Sequence, residues 1–235
     1  MKKLLTYCIF PIIIIVLGFL LYSSIMQPVR FNKESKRRQT VAIEQMKSIR
    51  TLQVAFKDAN GHYAPVMDTL IDFYNNGEIT IMKQIGSYDD SIQEAHTKAL
   101  TEAIQKANRG IKKAQIAEKL YQLHEAGDNQ IVVQLPIKVA VKDTLLKNIA
   151  NFNPESLRTI PFSEGDTVIM KTIVKQVSGV DVPLFEAQMP FNSLLKGMDH
   201  QLLVNLNAER TDTDRYPGLM VGSVDAANNN AGNWE

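Results

Sequence analysis

The chain has 235 residues, 22% of them charged, a formal net charge of +1 and one cysteine. A single cysteine excludes an internal disulfide. A near-neutral chain without a basic stretch interleaved with aromatic residues does not match a nucleic-acid-binding protein. We therefore expect no nucleic-acid partner and no disulfide framework.

Residues 1–27 are predicted to form a transmembrane anchor. Lys2 and Lys3 precede an almost unbroken apolar run over residues 4–26. Roughly twenty apolar residues in a helix span the hydrocarbon core of a bilayer. A cleaved signal peptide is the alternative, but the run is longer than a usual signal core and no small-x-small site follows it. We therefore expect the membrane to be one partner of this chain, through residues 4–26.

Basic residues flank the anchor on both sides, so its orientation stays open. The stretch from Arg30 to Arg38 contains one acidic residue, Glu34, among its lysines and arginines. A count of basic residues places that side in the cytoplasm, whereas the signal-like N-terminus favours the opposite side. We expect a single-pass protein of the inner (cytoplasmic) membrane, with an extracytoplasmic soluble domain and the basic cluster facing lipid headgroups.

Residues 28–60 are predicted to form a long amphipathic helix. Asn60-Gly61 is a typical helix end, with Gly61 placed for the left-handed conformation. Pro28 is the only strong breaker in the segment, so two interpretations are open: one kinked rod with the anchor, or a separate helix after a short linker. Apolar residues at three- and four-residue steps form the packing stripe: Ala42, Met46, Ile49, Leu52 and Phe56.

Residues 61–129 are predicted to be a helical region, with turns at glycine and asparagine residues. Mixed charges along its helices are typical of solvated faces. The predicted elements are a short helix over Asp68–Tyr74, a short strand over Ile79–Ile85, and helices over Asp89–Lys106 and Ile111–His124.

Residues 130–235 are predicted to be a β-rich domain with a C-terminal loop, because the apolar period changes to strand spacing. Pro183 indicates an edge position for its strand. The resulting fold class is α+β, with helices first and then a mainly antiparallel sheet. The predicted elements are a strand over 133–141, a hairpin of Asp166–Val177 and Val180–Gln188 turning at Ser178-Gly179, a helical turn over Phe191–Met198, and a strand over Gln201–Asn207.

Two stretches resemble type IV pilin-like proteins, most closely the major pseudopilins of type II secretion. Residues 49–65 (IRTLQVAFKDANGHYAP) have that family's helix end and its Asn-Gly-x-Tyr-Pro turn, with Ala64 inserted before the proline. Residues 216–223 (YPGLMVGS) and 230–235 (NAGNWE) are similar to its C-terminal loop. The resemblance implies a membrane-anchored, non-enzymatic subunit of an assembly.

The chain also differs from that family. No glycine precedes the apolar run and no acidic residue lies within it, so we expect no peptidase processing of the family's kind. The region from about Ile79 to Gln188 has no counterpart in a minimal pseudopilin. We therefore expect a divergent relative with a large insertion.

Calcium is the one cofactor that the resemblance suggests, since pseudopilin C-terminal loops can hold it. The alternative is a loop tied by asparagine side chains bonded to the backbone. The sole tryptophan, Trp234, is expected to pack into the body and fix the chain end. The candidate oxygen donors are Asp225, Asn228, Asn230 and Asn233.

Signatures of enzymes are missing from the sequence. It has no Gly-x-Ser-x-Gly elbow, Walker loop or dinucleotide fingerprint. The histidines are far apart and not at metal-ligand spacing: His62, His96, His124 and His200. We expect no catalytic residues.

Two functions therefore remain. The first is a membrane-anchored pilin-like or pseudopilin-like subunit of an envelope assembly or secretion apparatus, whose packing stripe buries against helices of neighbouring subunits. The second is an anchored binding module whose sheet recognises a peptide or glycan, with the strand edge near Pro183 as the place for peptide addition.

Overall fold

The computed structural model of the protein describes residues 10–149, 152–177 and 179–235, with the backbone alone for residues 10 and 11. Lys2, Lys3 and the first part of the predicted span lie outside the described residues. So does Ser178 of the predicted hairpin turn. The fold is α+β with antiparallel sheets, as predicted.

One helix of 51 residues, α1 (Phe10–Asn60), joins the apolar segment to the amphipathic segment. It is continuous through Pro28, so the single-rod interpretation is confirmed. The helix ends as predicted: Gly61 has a φ of +80°, and its N–H donates to the Lys57 carbonyl at 2.7 Å. At about 1.5 Å per residue, α1 is roughly 75 Å long.

The chain divides into two compact units. Unit 1 comprises Met1–Tyr74 and Leu145–Glu235, and unit 2 comprises Asn75–Thr144. The predicted domain boundary between residues 129 and 130 falls inside unit 2, because the two strands of that unit pair across it.

Unit 1 is built from α1 and a three-stranded antiparallel sheet of order β3-β4-β5. Phe185, Ala187 and Met189 of the middle strand are fully buried, and α1 contacts both this strand and its neighbour β5. The other elements of unit 1 are α2 (Met67–Asn76, whose last two residues belong to unit 2), a 3-10 turn (Pro154–Leu157), β3 (Ile169–Val177), β4 (Val180–Pro190), α6 (Phe191–Leu194), α7 (His200–Thr211) and β5 (Gly218–Gly222).

The prediction that Pro183 marks an edge strand is wrong for β4 as a whole, since β4 is the middle strand. β5 pairs only with Glu186–Pro190, so residues 180–185 have β3 on one side and, in the described part of the chain, no strand on the other. Proline lacks the N–H that a second neighbour would require. The edge position that Pro183 predicts therefore applies only to the first part of β4, residues 180–185.

The predicted strand over Gln201–Asn207 is wrong, because this segment lies within helix α7. Asp199 caps the helix and accepts a hydrogen bond from the Leu202 N–H at 2.9 Å. The partly buried residues recur at helical steps, which the leucine-rich alternation concealed: Leu202, Leu203, Leu206, Asn207 and Arg210.

Unit 2 is a two-stranded antiparallel sheet with two longer helices. Its helices and strands lie close to their predicted ranges, but the pairing of the two strands across residues 129 and 130 was not predicted. Asp90 caps the first helix and accepts bonds from the N–H groups of Ile92 and Gln93. Its elements are β1 (Glu78–Ile85), α3 (Ser91–Ala107), α4 (Lys113–Glu125), β2 (Val133–Ala140) and α5 (Val141–Thr144). Its core is Ile116, Leu120, Ile131, Val133 and Leu135.

Candidate membrane and assembly surface

The N-terminal part of α1 exposes an apolar surface. Every large apolar side chain from Ile12 to Ile25 is between 45% and 71% exposed. Full burial of one such side chain is worth roughly 1.5–3 kcal/mol, and the exposed fraction of each gains a corresponding part of that on leaving water. Summed over the segment, this strongly favours a non-aqueous environment. This helix is long and apolar enough to cross a membrane, and it is the one such helix in the described parts of the chain.

Next to this segment lies the basic cluster from Arg30 to Arg38. Some of its side chains contact the protein itself, and the others are exposed to solvent. Glu34 accepts hydrogen bonds from Arg37 at 2.7 Å and from Arg38 at 3.0 Å. These bonds, Arg37 first, lower the pKa of Glu34 to about 2. Arg38 also donates to the Leu194 and Lys196 carbonyls at the end of α6. Arg38 therefore holds α1 against the end of α6 in the same chain.

The remaining cations of the cluster, Arg30, Lys33 and Lys36, are exposed. None of them forms an ion pair with a residue that the structure describes. The predicted lipid-facing patch therefore has three available members.

A groove of about 450 Å³ lies where the apolar part of α1 meets the loop before α7. Asp199 of that loop accepts a hydrogen bond from the Gln27 side chain at 2.5 Å. Its bonds to the Leu202 N–H and to Gln27 lower the pKa of Asp199, so the carboxylate is charged at neutral pH. The groove is lined by Phe19, Tyr22, Ser23, Met26, Gln27, Arg30, Phe31, Met198 and Asp199.

The predicted packing stripe lies in the core of unit 1. The expectation that it buries against helices of neighbouring subunits is wrong, because the chain's own β4, β5 and α6 already cover this face of α1. A surface that is fully buried within one chain is not available to another. The relative exposures are 0% for Ala42, Met46, Ile49 and Leu52, and 8% for Phe56.

A buried glutamine that sequence reasoning missed holds the turn after α1. Gln53 is fully buried, and its amide oxygen accepts from the Ala64 N–H at 2.9 Å. Its amide nitrogen donates to the Ala64 carbonyl at 3.0 Å. Both backbone groups of Ala64 are thereby satisfied by one side chain from the helix.

The C-terminal loop is fastened to α1 and to the turn after it. Arg50 pairs with the Glu235 carboxylate at 2.6 Å and donates to the Asn230 carbonyl at 3.3 Å. The side chain of Asn230 and the hydroxyl of Tyr63 exchange hydrogen bonds of 3.0 and 3.2 Å. The end of the chain is thus part of the domain.

Trp234 is half-buried, as expected. Its ring lies on Gly232, where a Cβ would collide with it. The close approach of ring and backbone requires a glycine at this position.

Three of the four candidate calcium donors, Asn228, Asn230 and Asn233, take part in the contacts that hold this loop. Asn233 accepts from the Met220 N–H at 3.1 Å and donates to the Gly218 carbonyl at 2.9 Å, and Asn228 donates to the Ala231 carbonyl at 3.4 Å. The oxygens of two of the four donors, Asn230 and Asn233, are therefore already used. A guanidinium also lies on the Asn230 carbonyl, which disfavours a cation there. These residues fit the loop-tying alternative better than a calcium site.

Two of the widely spaced histidines meet at one residue in unit 2. His96 Nε2 lies 2.7 Å from a carboxylate oxygen of Asp128, and His124 Nδ1 lies 3.1 Å from the Asp128 carbonyl oxygen. The bond with His96 is the main cause that lowers the pKa of Asp128. The described residues include no group of three or more metal-binding side chains. The contact closes the turn after α4.

No family model, curated protein or solved structure matches this chain. The resemblance to pseudopilins therefore stays a prediction that rests on residues 49–65 and on the C-terminal loop.

Proposed function

We propose that this protein is a non-enzymatic, single-pass membrane subunit of an envelope assembly or secretion apparatus, similar to the pilins and pseudopilins. The observation that carries the proposal is α1 itself, exposed and apolar in its first part and buried under the chain's own sheet in its second part. Such a helix presents one surface to lipid or to neighbouring subunits and uses the other to hold its domain.

The surface available for assembly is not the predicted stripe. Residues 42–56 of the stripe are buried in the core of the chain itself. In this proposal, contacts between subunits use the exposed part of α1 that begins at Ile12 and continues past Val29, which is 53% exposed. In hydrocarbon, close packing and interhelical hydrogen bonds drive association. Ser23 and Ser24 are the small polar residues available there.

Disulfide trapping in native membranes tests this proposal. In a Cys8→Ser background, Ser24→Cys and Val29→Cys are expected to give covalent dimers on mild oxidation. Ala42→Cys is the matched control, because its side chain is buried within one chain. Absence of dimers from both exposed positions would contradict self-association and favour the binding module.

The binding module has one observation in its favour. Among the described residues, β3 pairs only with β4, so its other edge carries unpaired backbone groups over nine residues. A groove of about 210 Å³, lined in part by Tyr63, Val174 and Pro183, lies beside the open end of β4. An extended peptide adds to such an edge through main-chain hydrogen bonds.

We also propose that the soluble part faces outward from the inner membrane. Protease added to intact spheroplasts is expected to digest the domain, while mass spectrometry of the N-terminal fragment shows that the anchor is retained. A domain that is digested only after lysis would place it in the cytoplasm and contradict the pseudopilin-like assignment.

A further inference from the structure

The groove between α1 and the loop before α7 changes character along its length. Phe19, Tyr22 and Met26 supply apolar walls on the part of α1 that enters the membrane. Arg30 and Asp199 supply the charged end. At about 1.5 Å per residue, the distance along the helix from Phe19 to Arg30 is roughly 16 Å. This is close to half the thickness of the hydrocarbon core, about 15 Å, which is the depth that one leaflet's acyl chains occupy.

The charged end contains a cation and an anion that do not neutralise each other. Arg30 forms no ion pair with any residue in the described ranges. The hydrogen-bond donors to the Asp199 carboxylate are neutral: the Gln27 side chain and the N–H groups of Gln201 and Leu202. A ligand that carries one negative and one positive group would complement both charges.

We propose that this groove binds a zwitterionic phospholipid with a primary ammonium headgroup, of the phosphatidylethanolamine class. Arg30 donates to the phosphate oxygens, Asp199 accepts from the ammonium group, and an acyl chain lies along Phe19, Tyr22 and Met26. The inference rests on the membrane anchoring in the proposed function, but not on assembly with other subunits.

Asp199 provides the selectivity. A quaternary choline headgroup has no N–H to donate to the carboxylate, so it loses the charge-assisted bond. An anionic headgroup without an ammonium group places its negative charge beside Asp199 with nothing to compensate it. A simple basic patch, in contrast, would prefer the anionic lipid.

Lipid retention by the full-length protein tests this assignment. The protein is placed in nanodiscs of equal parts phosphatidylethanolamine, phosphatidylglycerol and phosphatidylcholine with identical chains, and the lipids that remain bound are counted by native mass spectrometry. We expect phosphatidylethanolamine to be retained about tenfold over phosphatidylcholine, the ratio that one additional charge-assisted bond gives.

Two variants and one control separate the roles of the two charges. Asp199→Asn keeps the cap on α7, because asparagine is an equally good cap, and is expected to reduce the tenfold ratio to about one. Arg30→Gln is expected to lower retention of both zwitterionic lipids about tenfold. Lys33→Gln, an exposed cation one turn along α1 that does not line the groove, is expected to leave both values unchanged.

Three outcomes would overturn the inference: equal retention of the two zwitterionic lipids by the unsubstituted protein, preference for phosphatidylglycerol, or a loss in Lys33→Gln equal to that in Arg30→Gln. Circular dichroism melting of each variant checks that its domain is folded. A chain that fails to enter the nanodisc overturns both this inference and the proposed anchoring. A chain that enters without lipid preference overturns the inference alone.

Discussion

Replacing Gln53 with leucine is expected to destabilise unit 1 by about 3 kcal/mol. The substitution removes both hydrogen bonds to Ala64, which is itself fully buried. Each buried backbone group left without a partner costs about 1–3 kcal/mol. The more favourable burial of leucine offsets part of that sum.

Gln45 provides a matched control on the same helix. Its amide also makes two hydrogen bonds to the backbone, in this case by donating to the carbonyls of Ser156 at 2.8 Å and Thr159 at 2.9 Å, but it does so at the exposed surface. Water can replace these bonds, so Gln45→Leu is expected to cost about 0.5–1 kcal/mol. Residue type, helix and number of backbone hydrogen bonds are the same, so the comparison sets a buried amide against an exposed one.

Urea unfolding followed by Trp234 fluorescence measures the difference. This residue is the only tryptophan of the chain and lies in the C-terminal loop of unit 1. With a urea dependence of about 2 kcal/mol per molar, Gln53→Leu is expected to lower the midpoint by about 1.5 M. A loss no larger than that of Gln45→Leu would refute the argument that the buried amide holds the turn.

Further substitutions probe the rest of unit 1. Ile49→Ala is expected to cost about 2–5 kcal/mol in the same unfolding assay, while the exposed Thr51→Ala stays within about 0.5 kcal/mol; equal effects would contradict the placement of the stripe in the core. Glu34 has its folded-state pKa lowered from 4.5 to about 2, so its contribution is present above pH 4.5 and lost as the pH falls toward 2. Glu34→Gln is therefore expected to be less stable than the unsubstituted protein at pH 6 and equal to it near pH 2. Arg50→Gln releases Glu235 and is expected to increase acrylamide quenching of Trp234, and unchanged quenching would show that the loop is held without that ion pair.

Local periodicity was sufficient to predict most of the elements. The apolar residues at three- and four-residue steps, among them Met46 and Ile49, predict the amphipathic part of α1. The glycine at position 61 predicts where the helix ends. The hairpin of β3 and β4 followed from alternation on both sides of a turn. In these segments the local preference and the tertiary packing agree.

The failures have a common physical cause, which is that burial depends on distant parts of the chain. The leucines of 201–207 alternate like a strand, but the cap at Asp199 and the partial burial of Leu203 and Leu206 make a helix the better solution. The periodicity of α1 correctly predicts an apolar, buried stripe. Periodicity does not predict what covers the stripe, because the sequence does not show whether a face packs against the same chain or against another.

The candidate site depends on contacts between residues that are far apart in the sequence, and sequence spacing does not predict such contacts. Gln53 and Ala64 are eleven residues apart, Arg50 and Glu235 are 185 apart, and the groove joins α1 to Asp199 across more than half the chain. Polar residues in such pairs look like ordinary surface residues until the fold brings them together.

Because α1 runs without a break from its apolar, membrane-compatible part to Asn60, it is a rigid lever for the sheet of unit 1. From Pro28 to Asn60 the helix extends about 50 Å at 1.5 Å per residue, and the sheet of unit 1 is fastened along it. Membrane helices tilt by about 20° on average, which would displace the far end of α1 sideways by about 17 Å. Bilayer thickness, through the tilt that it imposes on α1, would therefore set the position of the C-terminal loop relative to the membrane surface.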